Sequence, residues 1–303
     1  MKYLSSVLAR AYRATLNRLG QLVPTVPVTV RHAPPAGTRV LVLGVYLANR
    51  ANTAQHLMES FGRALHCHVE QRWVALNGEP ATPLQRLYTV RVVHERTPKF
   101  RLLNELLDGG DLYSYDYLLV CDDDVRLPRN FLDAFIGWKR RMGFALAQPA
   151  RTINSYIDHA LVRHRPWLRA RRTRFVEIGP VFCIERSLFP VLLPFDEASP
   201  MGYGYDLVWP LQVSAAGGKM GVIDATPVDH SLRGRGSAYS ADAELRTMSA
   251  YLAERAHLRA SEAFRTLRSY YRWPLLERLR AAAKRNDQDD PDDGPPMFMR
   301  TRA

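Results

Sequence analysis

Tyr117-Leu118-Leu119-Val120-Cys121-Asp122-Asp123-Asp124 joins an apolar run to three adjacent carboxylates. Four consecutive apolar residues without polar alternation read as a strand buried on both faces, the kind used in parallel sheets covered by helices. Three neighbouring carboxylates repel one another and stay ionised only where a cation or several donors compensate them. No basic residue precedes the triplet closely, so a hard divalent ion is the expected compensation, because carboxylate oxygens suit Mg2+ and Mn2+. The plain alternative is an acidic turn capping the next helix.

The segments around this strand repeat its logic. Arg39 to Leu47, Val69 to Leu76, Tyr88 to Val93 and Phe144 to Ala147 read as further strands. Asn49 to Arg63, Phe100 to Leu107 and Asn130 to Met142 carry helical spacing between them. Alternating strands and helices predict an α/β fold, a mostly parallel mixed sheet flanked by helices, with ligands beyond the carboxyl ends of the strands. Phe175 to Ile184, Gly202 to Ala216 and Met220 to Val228 read as strand, helix and strand. Ser240 to Lys284 reads as helical.

The expected organisation is a basic helix and proline-rich linker over 1–38 and a catalytic domain over 39–237. A helical extension over 238–285 and a disordered tail over 286–303 follow.

A formal net charge of +12 over 303 residues suits anionic partners such as nucleotides, pyrophosphates or lipid surfaces. Nucleic acid is not expected, since no helix-turn-helix, zinc-finger or aromatic RNA-binding signature is present. Cys67, Cys121 and Cys183 are widely spaced and sit in apolar surroundings, which predicts buried thiols and a reducing, cytoplasmic setting. No apolar run reaches eighteen residues, so no spanning helix is expected. Met1 to Gly20 carries Lys2, Arg10, Arg13 and Arg18 and no acid, which suits either a membrane surface or packing on the body of the protein.

Three other groups stand out. Gly202-Tyr203-Gly204-Tyr205-Asp206 opens a helix, and Asp206 reads equally well as its cap or as a general base. Tyr203, Tyr205 and Trp209 would then supply aromatic faces for a sugar ring, although each is individually more often core, with Gly204 and Tyr205 lining the sugar or acceptor pocket. His230 follows Asp229 at a strand end and is a candidate distant metal ligand, which tilts the choice slightly toward Mn2+. Arg163 to Arg174 contains six arginines and no acid, and reads as a solvated surface or as a basic loop closing over a diphosphate.

Together, Cys121-Asp122-Asp123-Asp124-Val125, Gln148-Pro149-Ala150, Phe175 to Phe182 and Gly202 to Asp206 resemble the GT-A glycosyltransferases, and more closely a GT-A-related family of plants and bacteria. The resemblance covers roughly residues 39–232. It implies a GT-A-like (Rossmann-like) domain with an Asp-x-Asp motif. Asp122, Asp123, Lys99 and Asn104 would contact the nucleotide. Asp122, Asp124 and His230 would hold Mn2+ or Mg2+. Asp206 would be the base of an inverting, hexosyltransferase-like reaction. Gln148, Glu177 and Gly179 would line the sugar or acceptor pocket. The implied partners are a nucleoside-diphosphate sugar and a carbohydrate or lipid-linked acceptor, with peripheral membrane contact as one setting.

The usual acidic pair before the catalytic helix is here Tyr205-Asp206, with a single acid. A nucleotidyltransferase ranks lower, because Gly44 to Arg50 is not the glycine-rich basic loop that a triphosphate needs. A non-catalytic relative binding lipid or polyanion is the reading from a different class.

Overall fold

The structure, a computed structural model, describes residues 30–233 and 241–272. Nine strands form one sheet: β1 (Thr38–Leu47), β2 (Cys67–Leu76), β3 (Thr89–Val93), β4 (Tyr117–Asp122), β5 (Leu146–Arg151), β6 (Leu168–Thr173), β7 (Val181–Glu185), β8 (Met220–Val228) and β9 (Thr266–Tyr271). Their order is β3-β2-β1-β4-β7-β5-β8-β6-β9. β1 pairs in parallel with β2 and β4, β2 with β3, and β5 with β8. β7 is antiparallel between β4 and β5, and β6 is antiparallel to β8 and β9.

Chain direction places the acidic triplet. The chain winds from β1 outward to β2 and β3, then returns to lay β4 on the other side of β1. A crevice opens where winding reverses, outside the carboxyl ends of the strands. Val45 of β1 is registered with Asp122 of β4, so the triplet emerges at that reversal.

The strands are apolar on both sides because both faces are covered. Val40, Val42, Leu119 and Cys121 pack toward helices Ala54–Gly62 and Phe131–Met142. Leu41, Leu43, Leu118 and Val120 pack toward helices Lys99–Leu107 and Tyr205–Ala215. Cys67, Cys121 and Cys183 are buried free thiols.

Three stretches depart from the sequence reading. Within the arginine-rich run, Leu168–Thr173 is strand β6 rather than loop, and its charge is partly internal. Arg171 is fully buried and grips Asp224 of β8, Nε to Oδ2 at 2.8 Å and Nη2 to Oδ1 at 3.0 Å. Asp224 Oδ1 also accepts the Arg165 amide at 2.9 Å. Thr266–Tyr271, read as helical, is edge strand β9, where pairing with β6 overrides helical spacing. The strand expected from Phe175 begins only at Val181. The reading of 1–29 as helix and linker lies outside the described residues, as does that of 273–303.

Removing one partner of the Arg171–Asp224 pair strands a buried charge. Asp224→Ala is expected to cost about 3–5 kcal/mol, read from urea unfolding, with loss of most of the cooperative transition.

Candidate active site

Each carboxylate of the triplet has its own engagement. Asp122 Oδ1 lies 2.5 Å from the Lys99 ammonium, which the first turn of helix Lys99–Leu107 delivers. Asp123 is buried, and its Oδ2 accepts the Leu47 amide at 2.7 Å, tying the ends of β1 and β4 together. Its Oδ1 takes the Arg233 guanidinium. Asp124 Oδ1 faces His230 Nε2 at 3.1 Å, and its Oδ2 accepts Arg233 Nε at 3.3 Å.

The expectation of uncompensated charge is therefore corrected. The compensating cations come from residues distant in sequence, Lys99 and Arg233, together with the His230 ring. Their effects differ between neighbours. Burial pushes the Asp123 carboxyl up to about 6, against the opposing pull of Arg233. At Asp124 burial also acts upward, but the His230 and Arg233 contacts prevail and hold the carboxyl below its usual value.

The geometry allows a test of metal binding. Two ligand atoms on one edge of an octahedron with bonds near 2.1 Å stand about 3 Å apart. Asp124 Oδ1 and His230 Nε2 are 3.1 Å apart, so they fit adjacent positions around one ion. Among the described residues no group of three carboxylate, imidazole or thiol side chains is placed to hold a metal. Asp124 and His230 are thus two donors facing each other, with no third placed beside them among the described residues.

A second cluster adjoins the first through residues 177–180. The Asp122 amide donates to Pro180 O at 2.8 Å. A Cβ on Gly179 would come within 2.9 Å of Asp122 Oδ2, so only glycine leaves the carboxylate its position. Glu177 is buried. Its amide donates to Gln148 Oε1 at 2.7 Å, and its Oε2 takes Arg151. Arg151 also donates to Gly179 O at 2.7 Å and Tyr156 O at 3.0 Å, bracing the segment. Glu177 Oε1 and Gln148 Nε2 are buried without a hydrogen-bond partner. The His159 Nε2 lies 3.9 Å from Glu177 Oε1.

Asp206 enters in the first turn of helix Tyr205–Ala215 and is half-buried. It lies close enough to Glu177 to influence its ionisation. Burial pushes the Glu177 carboxyl up to about 8, Arg151 opposes this, and the charges of Asp158 and Asp206 reinforce it. An acid whose folded value is raised binds its proton more tightly when folded. Its stabilising contribution is complete below the unfolded value and is lost as pH rises toward 8. Glu177→Gln is expected to flatten the loss of stability between pH 5 and 8, measured by denaturant unfolding against the parent.

Other sites proposed from sequence have different surroundings. Asn104 is a brace: its amide nitrogen donates to Phe195 O and its amide oxygen accepts Phe195 N, both at 2.8 Å. Tyr205, expected to present a face to sugar, is fully buried against Phe100 and Trp209, with its hydroxyl donated to Asp196 O. Its large apolar ring is worth more in the core than at a wet cleft. Gly204 serves the same packing. Its φ is +95°, and a Cβ there would press on Tyr251 and Leu252 at 3.1–3.2 Å. Sequence reading missed Arg233 and Arg151. Arg233 had a signal, since it follows His230 by three residues on the same strand-end loop.

No protein-family model and no curated protein sequence matches the chain. Solved structures of low identity are similar to the chain. GalNAc-T7 with UDP, GalNAc and Mn2+ is 14% identical with a TM-score of 0.46, over 66% of this chain and 44% of that one. S. aureus TarS is 10% identical with a TM-score of 0.45, over 64% of this chain and 36% of that one. The mannosyltransferase PcManGT from Pyrobaculum calidifontis, in complex with GDP-Man and Mn2+, is 15% identical with a TM-score of 0.45, over 75% and 65%. The matched region spans less than two thirds of each of these chains.

Proposed function

We propose that this protein is a metal-dependent glycosyltransferase that moves a sugar from a nucleoside-diphosphate sugar to an acceptor hydroxyl with inversion. One observation carries the reading. Asp124 faces His230 at the winding reversal, and residues 177–180 lie against the neighbouring Asp122 and lead to Glu177, whose ionisation feels the charge of Asp206.

The roles follow from the chemistry of each group. A divalent ion, Mn2+ or Mg2+, held beside Asp124 and His230 supplies Lewis-acid neutralisation of the charge that grows on the departing diphosphate. Asp122 accepts hydrogen bonds from the ribose, and Lys99 beside it offers a positive charge to phosphate oxygens. Asp123 positions the site by pinning the Leu47 amide. The unpartnered Gln148 Nε2 and Glu177 Oε1 supply a donor and an acceptor for hydroxyls of the sugar or the acceptor. Asp206 takes the proton of the acceptor hydroxyl as its oxygen bonds to the anomeric carbon and the bond to the diphosphate breaks on the opposite face. The acceptor class is a carbohydrate or a lipid-linked carbohydrate.

One feature favours a second reading. Lys99 and Arg233 already offset much of the charge of the triplet, and a site so offset from within persists without a metal. A non-catalytic relative would keep that arrangement. Incubation with a panel of nucleoside-diphosphate sugars and Mn2+ separates the two: the transferase releases nucleoside diphosphate slowly to water even without acceptor. Absence of release with every donor supports the silent protein.

A further inference from the structure

Many described arginines of this fold are matched by acids. Arg63, Arg72, Arg91, Arg151, Arg171, Arg186, Arg233 and Arg255 all pair with carboxylates. One group is not. The Arg169 guanidinium lies over the Trp138 ring and feels the charges of Arg31 and Arg272, and Arg31, Arg141 and Arg169 all act on His32 beside that ring.

The group is assembled from four distant parts of the chain. The segment carrying Arg31 and His32 crosses helix Phe131–Met142 at Gly137, where any Cβ would collide with the His32 carbonyl. His32 then meets Trp138 edge-on at 4.6 Å. The Arg169 guanidinium lies over the same ring at 5.4 Å. The Arg272 amide donates to the Trp167 carbonyl at 2.9 Å, which sets Arg272 beside the start of β6. Its Nε is buried with no partner, a donor left unsatisfied. Burial and the charges of Arg31 and Arg272 press the Arg169 guanidinium below its usual value. Like charges gathered without a counter-charge cost stability, and an external anion removes that cost.

We infer that this arginine cluster is a docking surface for the headgroups of an anionic phospholipid bilayer. Three observations select a bilayer over other polyanions. Trp167 is 49% exposed beside the cluster, and an indole suits the boundary between headgroup and acyl chain. The sequence leading into Arg31 carries Lys2, Arg10, Arg13 and Arg18, interleaved with apolar residues and without an acid in its first twenty positions. Such a segment suits an anionic interface. Finally, β6 runs antiparallel to β8, so its Trp167 end lies toward the end of the sheet at which β8 leads to His230. A bilayer docked there lies near the candidate active site.

Co-sedimentation of the full chain with vesicles tests this, using phosphatidylcholine alone and phosphatidylcholine with about a third phosphatidylglycerol. Binding is expected only to the anionic vesicles, and to weaken as salt rises. The combined variant Arg141→Gln, Arg169→Gln, Arg272→Gln is expected to bind roughly a hundredfold more weakly. The matching triple lysine variant is expected to keep most of the binding, which separates charge from folding. Equal binding by parent and glutamine variant would overturn the proposal, as would loss in the lysine variant. Parent chain that ignores anionic vesicles but is retained by heparin or RNA would overturn it too.

Discussion

Asp206→Asn is expected to lower the rate of sugar transfer by about 10²–10⁴-fold while leaving donor affinity within a few-fold of the parent. The asparagine keeps the size and the hydrogen-bonding outline of the side chain but cannot accept a proton. Asp206 stands in the first turn of helix Tyr205–Ala215. Gly204 precedes it at φ +95°, and the Tyr205 ring behind it is locked in the core. A circular dichroism spectrum and an unfolding midpoint matching the parent confirm that the variant is folded before rates are compared. Removing the Asp206 charge also relieves one of the influences that hold Glu177 protonated, so the Glu177 carboxyl should move down toward its ordinary range. Steady-state kinetics with donor and acceptor varied separately reads the first effect. Full transfer activity in the variant excludes Asp206 as the base.

Asp124→Asn should weaken Mn2+ binding by at least tenfold, because loss of a direct ligand costs no less than the loss of a group that merely orients one. The asparagine also gives up two charge-assisted contacts, to His230 at 3.1 Å and to Arg233 at 3.3 Å. A stability loss of about 1–3 kcal/mol accompanies it. Asp123→Asn makes the informative contrast. Asp123 is tied to the Leu47 amide and to Arg233, so its replacement should disturb folding more than metal affinity. Mn2+ titration followed by electron paramagnetic resonance distinguishes the two variants without reference to turnover.

Much of the sheet was legible because its strands are buried on both faces. Runs such as Val40-Leu41-Val42-Leu43 and Leu118-Leu119-Val120 have no other economical explanation. The position of the triplet at the carboxyl end of such a strand followed directly. β6 and β9 were illegible for the opposite reason. Leu168–Thr173 is dominated by arginine, and only the distant Asp224 makes burial of Arg171 tolerable. Thr266–Tyr271 becomes a strand because β6 offers it an edge, which no local pattern announces.

The triplet itself was overread in one respect. Side-by-side acids suggested a demand for metal, whereas Lys99 and Arg233 already answer part of that demand from afar. Tyr205 was misassigned because a tyrosine beside a glycine looks the same in sequence whether it faces sugar or core. Tyr205 faces the core.

The central claim is that the acidic edge grips a diphosphate through a divalent ion. Thermal unfolding of the full chain with UDP or GDP, each with Mn2+ or with chelator, tests it most directly. Ligand binding to the folded state alone raises the midpoint in proportion to saturation. The account predicts a rise of several degrees with at least one nucleoside diphosphate when Mn2+ is present, none with chelator, and none in Asp124→Asn. An equal rise with chelator, or a flat response to every combination, contradicts it.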